Sequence, residues 1–183
     1  MEIIYEFIKE ITILTPEPPS KDERIKELKA VIEQQKNPSN DKNILKILDE
    51  DFPKMFDAII KIAGHSSDIK TIQKLKKEIK PIIKLHKNHF SYLRPYQLAE
   101  DIGLDFNSMF LKSAQSPSYP SGHVSQAFYI AHHLSEKYPE LSEKFYLLAE
   151  MVAESRIDLG VHFPSDNIAG KILAYKVFKG DLI

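Results

Sequence analysis

The sequence contains no cysteine. That excludes disulfides, thiolate metal sites and thiol nucleophiles, and it fits a reducing compartment. Neither sign of charge is in excess: 25 Lys and Arg stand against 26 Asp and Glu, for a net charge of −1. A globally basic chain built to bind nucleic-acid polymer is thereby excluded, and so is an acidic tail. Long apolar runs are missing too, since no stretch approaches the ~18 residues that span a bilayer. The first residues include Glu2, Glu6, Lys9 and Glu10, without the basic start and apolar run of a secretion signal. A cytoplasmic location with no membrane span is the expectation. Alternating β-strand patterns, internal repeats and low-complexity segments are also absent. What is present is 183 residues, 43% hydrophobic and 28% charged, the balance of one folded domain (residues 1–183) with its own core.

The dominant period is helical. Ser20 with Glu23 three residues later forms a capping box, and Ile25, Leu28 and Ile32 follow at spacings of three and four. Asn37-Pro38-Ser39-Asn40 ends that helix. Further helices are predicted from about Asp41 to Asp51 and from Pro53 to Gly64. Ser66 or Ser67 opens a stretch with Ile69, Ile72, Leu75, Ile79 and Ile83 on one face, which Pro81 should kink or divide. Residues 88–120 read as loops with a short helix. Ser121 then caps a helix carrying Ala127, Ile130 and Leu134. The next helix carries Leu141, Phe145, Leu148, Val152, Ser155 and Leu159 and stops at Gly160. The last begins near Pro164–Asp166 and carries Ile168, Ile172 and Tyr175. The predicted fold is an all-α, single-domain bundle of roughly seven or eight helices.

Three blocks carry chemistry. Lys87-x6-Arg94-Pro95 places two cations near a helix end and a loop. Pro120-Ser121-Gly122-His123 opens a helix, where unpaired N–H groups, a glycine and a hydroxyl suit an anion. A capped helix with His123 on its apolar face is the plainer reading. Ser155-Arg156-x5-His162-x3-Asp166 turns a guanidinium partly inward, where it needs an anionic partner, either a carboxylate or a bound oxyanion. Asp166 lies near enough to His162 to accept one imidazole N–H and leave the other nitrogen free, although an ordinary His–carboxylate cap has the same spacing. The four specified residues of this last block give a chance match of roughly one in a thousand in a chain of this size.

In this order the three blocks resemble the signature of the type 2 phosphatidic acid phosphatase superfamily. That superfamily includes class A nonspecific acid phosphatases, membrane lipid phosphatases and vanadium haloperoxidases. The context Ser118-Tyr119-Pro120-Ser121-Gly122-His123 and the run from Ser155 to Asp166 look most like the soluble acid phosphatases. The resemblance spans residues 87–166, and residues 1–80 carry no recognisable motif.

The resemblance implies a metal-independent phosphatase. His162 becomes the nucleophile and forms a phosphohistidine, Asp166 orients it, and His123 exchanges the proton with the leaving oxygen and then with water. Lys87, Arg94, Arg156, Ser121 and Gly122 hold the phosphoryl oxygens. Three cations can supply what metal ions supply elsewhere. No metal or cofactor is expected, and phosphate or vanadate is the expected site ligand or inhibitor. With neither an export signal nor spanning helices, the expected substrate is a soluble phosphomonoester such as a nucleotide or sugar phosphate. The rival readings are a vanadate-dependent haloperoxidase and a silent phosphate-binding protein; His123 and His162 argue against the second. The remaining residues read plainly. His132 and His133 are expected at the surface of their helix, and His65 and His86 near helix ends. His89 is a candidate pocket residue. Lys70, Lys74, Lys76, Lys77, Lys80 and Lys84 form a solvated face. Ile3, Ile4, Phe7, Ile8 and Ile11 suit core or a contact in a homo-oligomer.

Overall fold

The computed structural model describes residues 15–107 and 114–181. The apolar N-terminal segment around Ile3–Ile11 lies outside them. The described residues form α-helices and one short 3-10 turn, with no strand among them. In chain order the helices are α1 (Lys21–Lys36), α2 (Lys42–Glu50), α3 (Phe52–Ile62), α4 (Ile69–Glu78) and α5 (Lys80–Phe90). They continue with α6 (Pro95–Asp101), α7 (Gly122–Lys137), α8 (Ser142–Asp158) and α9 (Pro164–Lys179). The all-α bundle expected from the periodicity is the observed fold.

Local chemistry sets the boundaries. Ser20 and Glu23 form the reciprocal capping box of α1, and Asp41 caps α2 by accepting from Asn43 N and Ile44 N at 2.8 and 3.0 Å. Pro81 does divide the long stretch, and it sits in the first turn of α5, where its missing N–H costs nothing. Gly160 ends α8 at φ +66, and a Cβ there would lie 2.3 Å from Gln35 Nε2.

The centre of the bundle is α7, packed against α8 on one side and α9 on the other. Phe52, Phe56, Ile72, Ile79, Ile130, Phe145, Val152 and Leu173 are fully buried in the main core. A smaller cluster of Leu28, Leu98, Ala99 and Phe163 joins α1, α6 and the start of α9. The apolar stripes predicted for α7 and α8 face inward as expected.

Two faces differ from the sequence reading. In α1 the buried line is Arg24, Leu28 and Val31, with Ile25 and Ile32 only partly covered. In α9 the buried residues are Asp166, Asn167, Ala169, Gly170, Leu173 and Ala174, whereas Ile168 and Tyr175 are more than half exposed. Small residues win on α9 because it lies almost in contact with the backbone of α7. A Cβ built on Gly170 would fall 2.9 Å from the Ser121 carbonyl oxygen and 3.1 Å from Val124 Cβ. Backbone cannot yield as a side chain tip can. Gly170→Ala is therefore expected to destabilise the protein by about 1–3 kcal/mol, as overpacking does. Denaturant unfolding of the purified variant measures this, and wild-type stability would contradict the close approach.

Candidate active site

The three sequence blocks meet at one place. Lys87 comes from the last turn of α5, and Arg94 from the residue before α6. Ser121, Gly122 and His123 form the start of α7, Arg156 lies in the last turn of α8, His162 lies in the turn that follows, and Asp166 is in the first turn of α9. The Ser121 N–H donates to the Asp166 carbonyl at 2.9 Å, which ties the second block to the third.

Asp166 is fully buried and heavily used. Its Oδ2 accepts from His162 Nδ1 at 3.0 Å, from the Phe163 N–H at 3.0 Å, and from the Ser118 hydroxyl. Its Oδ1 accepts from Arg24 Nη2 at 2.6 Å. A carboxylate accepts only, so Nδ1 of His162 carries the hydrogen and Nε2 keeps its lone pair. Arg94 Nη1 stands 3.3 Å from that Nε2 and donates to the Val161 carbonyl at 2.7 Å. Burial, together with Arg94, Lys87 and Arg156, holds the His162 pKa well below the usual histidine range. The imidazole is therefore neutral at pH 7, as a nucleophile must be.

The cations are placed around this nitrogen. The Lys87 ammonium is nearly buried and donates to the Pro117 carbonyl and, at 3.1 Å, to the Ser118 carbonyl. Burial and the neighbouring Arg94 depress its pKa to about 7. Burial lowers that of Arg94 to about 10. Arg156 is 1% exposed, and its Nη2 donates to Asp49 Oδ1 at 2.8 Å. Its Nε and Nη1 are buried and have no hydrogen-bond partner among the described residues, and the same holds for Ser121 Oγ. Orphaned buried donors are costly, and three beside a helix N-terminus fit a tetrahedral oxyanion. Of the two partners that the sequence left as alternatives, Arg156 has the carboxylate on one edge, and on the other its donors meet no acceptor among the described residues.

His123 is anchored differently from a capping histidine. Its Nε2 donates to the Asp49 carbonyl at 2.9 Å and lies 3.5 Å from Asp49 Oδ1. That fixes Nδ1 as the nitrogen free to move a proton. Burial and the Arg156 charge push its pKa down to about 3, with Asp49 opposing.

Ser121 holds the N-cap position of α7, but its hydroxyl makes no capping bond. His89 is exposed and packs against Phe90. His132 and His133 are half-buried against Phe178 rather than solvated. His86 is fully buried and bonds the Ile82 carbonyl at 2.9 Å. Lys76 leaves the solvated face to sit over the Phe52 ring at 4.5 Å. No cluster of metal-ligating side chains occurs among the described residues.

The sequence reading missed Arg24 and Asp49. Neither belongs to a motif, and both lie in the first 80 residues. The structure gives those residues a role in assembling the site. Glu27 accepts from Ser165 N and Oγ at 2.9 and 2.7 Å. Asp158 accepts from Gln34, Ser39 and Asn40 at 2.8 to 3.1 Å. With Arg24–Asp166 and Asp49–Arg156, these bonds clamp α1 and α2 onto the third block.

The fold and site together define an all-helical protein that gathers buried cations around a neutral, carboxylate-backed histidine. Comparison with known proteins gives that class a family. The PAP2 superfamily model matches residues 79–179, more than half of the chain, and the chain belongs to the PAP2 superfamily. No curated protein sequence matches it significantly. A solved structure, the first transmembrane PAP2 type phosphatidylglycerolphosphate phosphatase from Bacillus subtilis, is 19% identical with a TM-score of 0.52. The match covers 98% of this chain and 94% of that one, and at this identity the likeness is one of fold. Among the described residues no helix is long and apolar enough to cross a membrane.

The low pKa values of Lys87 and His123 have a measurable consequence. A dianion seated among these groups raises both, so binding above pH 7 should take up protons. Sulfate does not itself titrate there. Calorimetry of sulfate binding at pH 7.5 in buffers of different ionisation enthalpy is expected to show net proton uptake, reduced in Lys87→Arg. Binding without proton exchange would contradict the described state of Lys87.

Proposed function

We propose that the protein is a metal-independent phosphatase that hydrolyses phosphate esters through a phosphohistidine at His162. PAP2 membership supports phosphoric ester hydrolysis in general. The observation that carries the finer reading is the pairing at His162: Nδ1–H is held by Asp166, and Nε2 is held beside Arg94.

In this mechanism the phosphoryl oxygens bind Lys87, Arg94, Arg156, the Ser121 hydroxyl and the N–H groups that open α7. Nε2 attacks phosphorus, the P–O bond to the leaving group breaks, and His123 Nδ1 delivers a proton to the departing oxygen. The bound phosphate supplies the negative charge that lets His123 hold that proton despite its depressed pKa. His123 then takes a proton from water, the water oxygen attacks phosphorus, the N–P bond breaks, and inorganic phosphate leaves. Asp166 stabilises the imidazolium that forms when Nε2 bonds to phosphorus. The cations face charge that develops in flight, and losing one such donor costs roughly 10²–10³ in rate. This donor set does the electrostatic work that metal ions do in other phosphoryl-transfer sites, so turnover is expected to resist chelators.

The proposed substrates are small soluble phosphomonoesters, nucleotides or sugar phosphates. This rests on the many charged side chains among the exposed residues and on the absence of a spanning helix among the described residues.

The test is hydrolysis of an aryl phosphate between about pH 4.5 and 8 with chelator present, followed by a panel of nucleotides, sugar phosphates and phosphatidylglycerol phosphate in micelles. Chelator-resistant turnover that vanadate inhibits and His162→Ala abolishes, with unchanged helical content, is the expected result. Full activity in His162→Ala would overturn the nucleophile. Turnover of the lipid alone would overturn the soluble substrate. Vanadate-dependent bromide oxidation would favour a haloperoxidase.

A further inference from the structure

The PAP2-type site explains Lys87, Arg94 and Arg156, but it leaves a fourth buried cation, the guanidinium of Arg24, without a task. Arg24 sits on α1 and is 3% exposed. Its Nη2 donates to Asp166 Oδ1 at 2.6 Å, and its Nη1 donates to the Leu93 carbonyl at 3.3 Å. The guanidinium carbon lies 4.6 Å from the Tyr92 ring centroid and 4.3 Å from the Phe163 ring centroid. It faces the oxygen of Asp166 that His162 does not use. Arg24 therefore reaches the reacting nitrogen only through Asp166 and His162.

A buried ion pair is a poor source of stability, because desolvation of both charges cancels most of their attraction. An apolar pair would fill this space beside two aromatic rings at least as well. Its presence is better explained by what the charge does to Asp166. Burial, with the neighbouring Glu27 adding repulsion, holds the pKa of that carboxylate above the usual carboxylate range. Arg24 from α1, the Ser118 hydroxyl, the Phe163 N–H and Lys87 from α5 oppose this, with Arg24 the largest of the four. Arg94 and Tyr119 complete the surrounding charged and titratable groups.

We infer that Arg24 is a positioning residue for the phosphatase reaction, holding the Asp166 carboxylate ionised and in register so that His162 presents Nε2 to phosphorus. Helix α1 is thereby part of the reaction machinery although it carries no motif. The inference rests on the phosphohistidine reading, and the test separates the two.

The sign of the effect follows from the charge. Without Arg24 the Asp166 carboxylate takes up its proton at a higher pH, so activity is lost earlier as the solution is acidified. Arg24→Gln and Arg24→Ala are expected to lower kcat by roughly 10- to 100-fold, with KM and sulfate affinity unchanged and the acid limb of kcat moved to higher pH. Arg24→Lys keeps a cation and should leave the limb near its wild-type position. Arg24 also lines a cleft of about 290 Å³ with Lys21, Phe90, Tyr92, Leu93 and Leu98. Millimolar guanidinium can enter there and should restore part of the Arg24→Ala activity.

A folded neutral variant with wild-type kcat and acid limb would overturn the inference. So would a loss of kcat with no limb shift and no rescue, which is the mark of a merely structural role. If Arg24→Ala does not fold, the comparison of Arg24→Gln with Arg24→Lys decides. If the wild-type protein hydrolyses nothing, the phosphatase reading fails instead. The proton resonance of His162 Nδ1–H then still reports on Arg24: it should disappear at a higher pH in Arg24→Gln than in the wild type, and identical behaviour in both would refute the positioning role.

Discussion

A carboxylate with no solvent contact must find several donors or lose its charge, and Asp166 finds four of them on three segments of chain. His162 and the Phe163 N–H come from the turn before α9, Ser118 from the loop before α7, and Arg24 from α1. Satisfying that one group fixes the relative placement of α1, α7 and α9. It also fixes the imidazole tautomer, and from there the direction of Nε2. The close contact of Gly170 with the Ser121 carbonyl serves the same end, because it lets the N-terminus of α7 reach the first turn of α9.

The site is electrostatically unbalanced. Lys87, Arg94, Arg156 and Arg24 surround Asp49 and Asp166, so the buried cations outnumber the carboxylates. Burial, with that excess adding to it, lowers the pKa values of Lys87 and of the two histidines. The excess is expressed too in Arg156 donors that meet no acceptor among the described residues. A group carrying two negative charges relieves all of these at once. A phosphoryl group bound as proposed would remove stresses already present, which is what preorganised electrostatic stabilisation requires.

Much of this was legible in the sequence. Helix periodicity placed α7 and α8 correctly because their buried faces are apolar. The three blocks gave the residues that converge, because their chemistry is local: a helix start, a turn, and a His four residues from an Asp. Arg24 and Asp49 were not legible. Arg24 lies within Lys21-Asp22-Glu23-Arg24, a charged run that looks like the solvated start of a helix, and the apolar pattern of α1 directs attention to Ile25 instead of its neighbour. Asp49 resembles any acidic residue at the end of a helix. Both owe their roles to contacts spanning more than a hundred residues of chain, to Asp166 and Arg156, which periodicity does not see. On α9 the exposed Ile168 and Tyr175 misled the reading, since hydrophobic size marks a buried face only where there is room for it.

The central claim is covalent: the phosphoryl group rests on Nε2 of His162. The most direct measurement is rapid quenching of the turning-over protein into alkali, where phosphohistidine survives, followed by mass spectrometry of the peptide that contains His162. His123→Ala, slowed in the water step, provides the sample with the most trapped intermediate. The account predicts a phosphate on His162 that disappears on brief acid treatment. A protein that hydrolyses phosphate esters with no phosphate on any histidine, or with the phosphate on another residue, would contradict it.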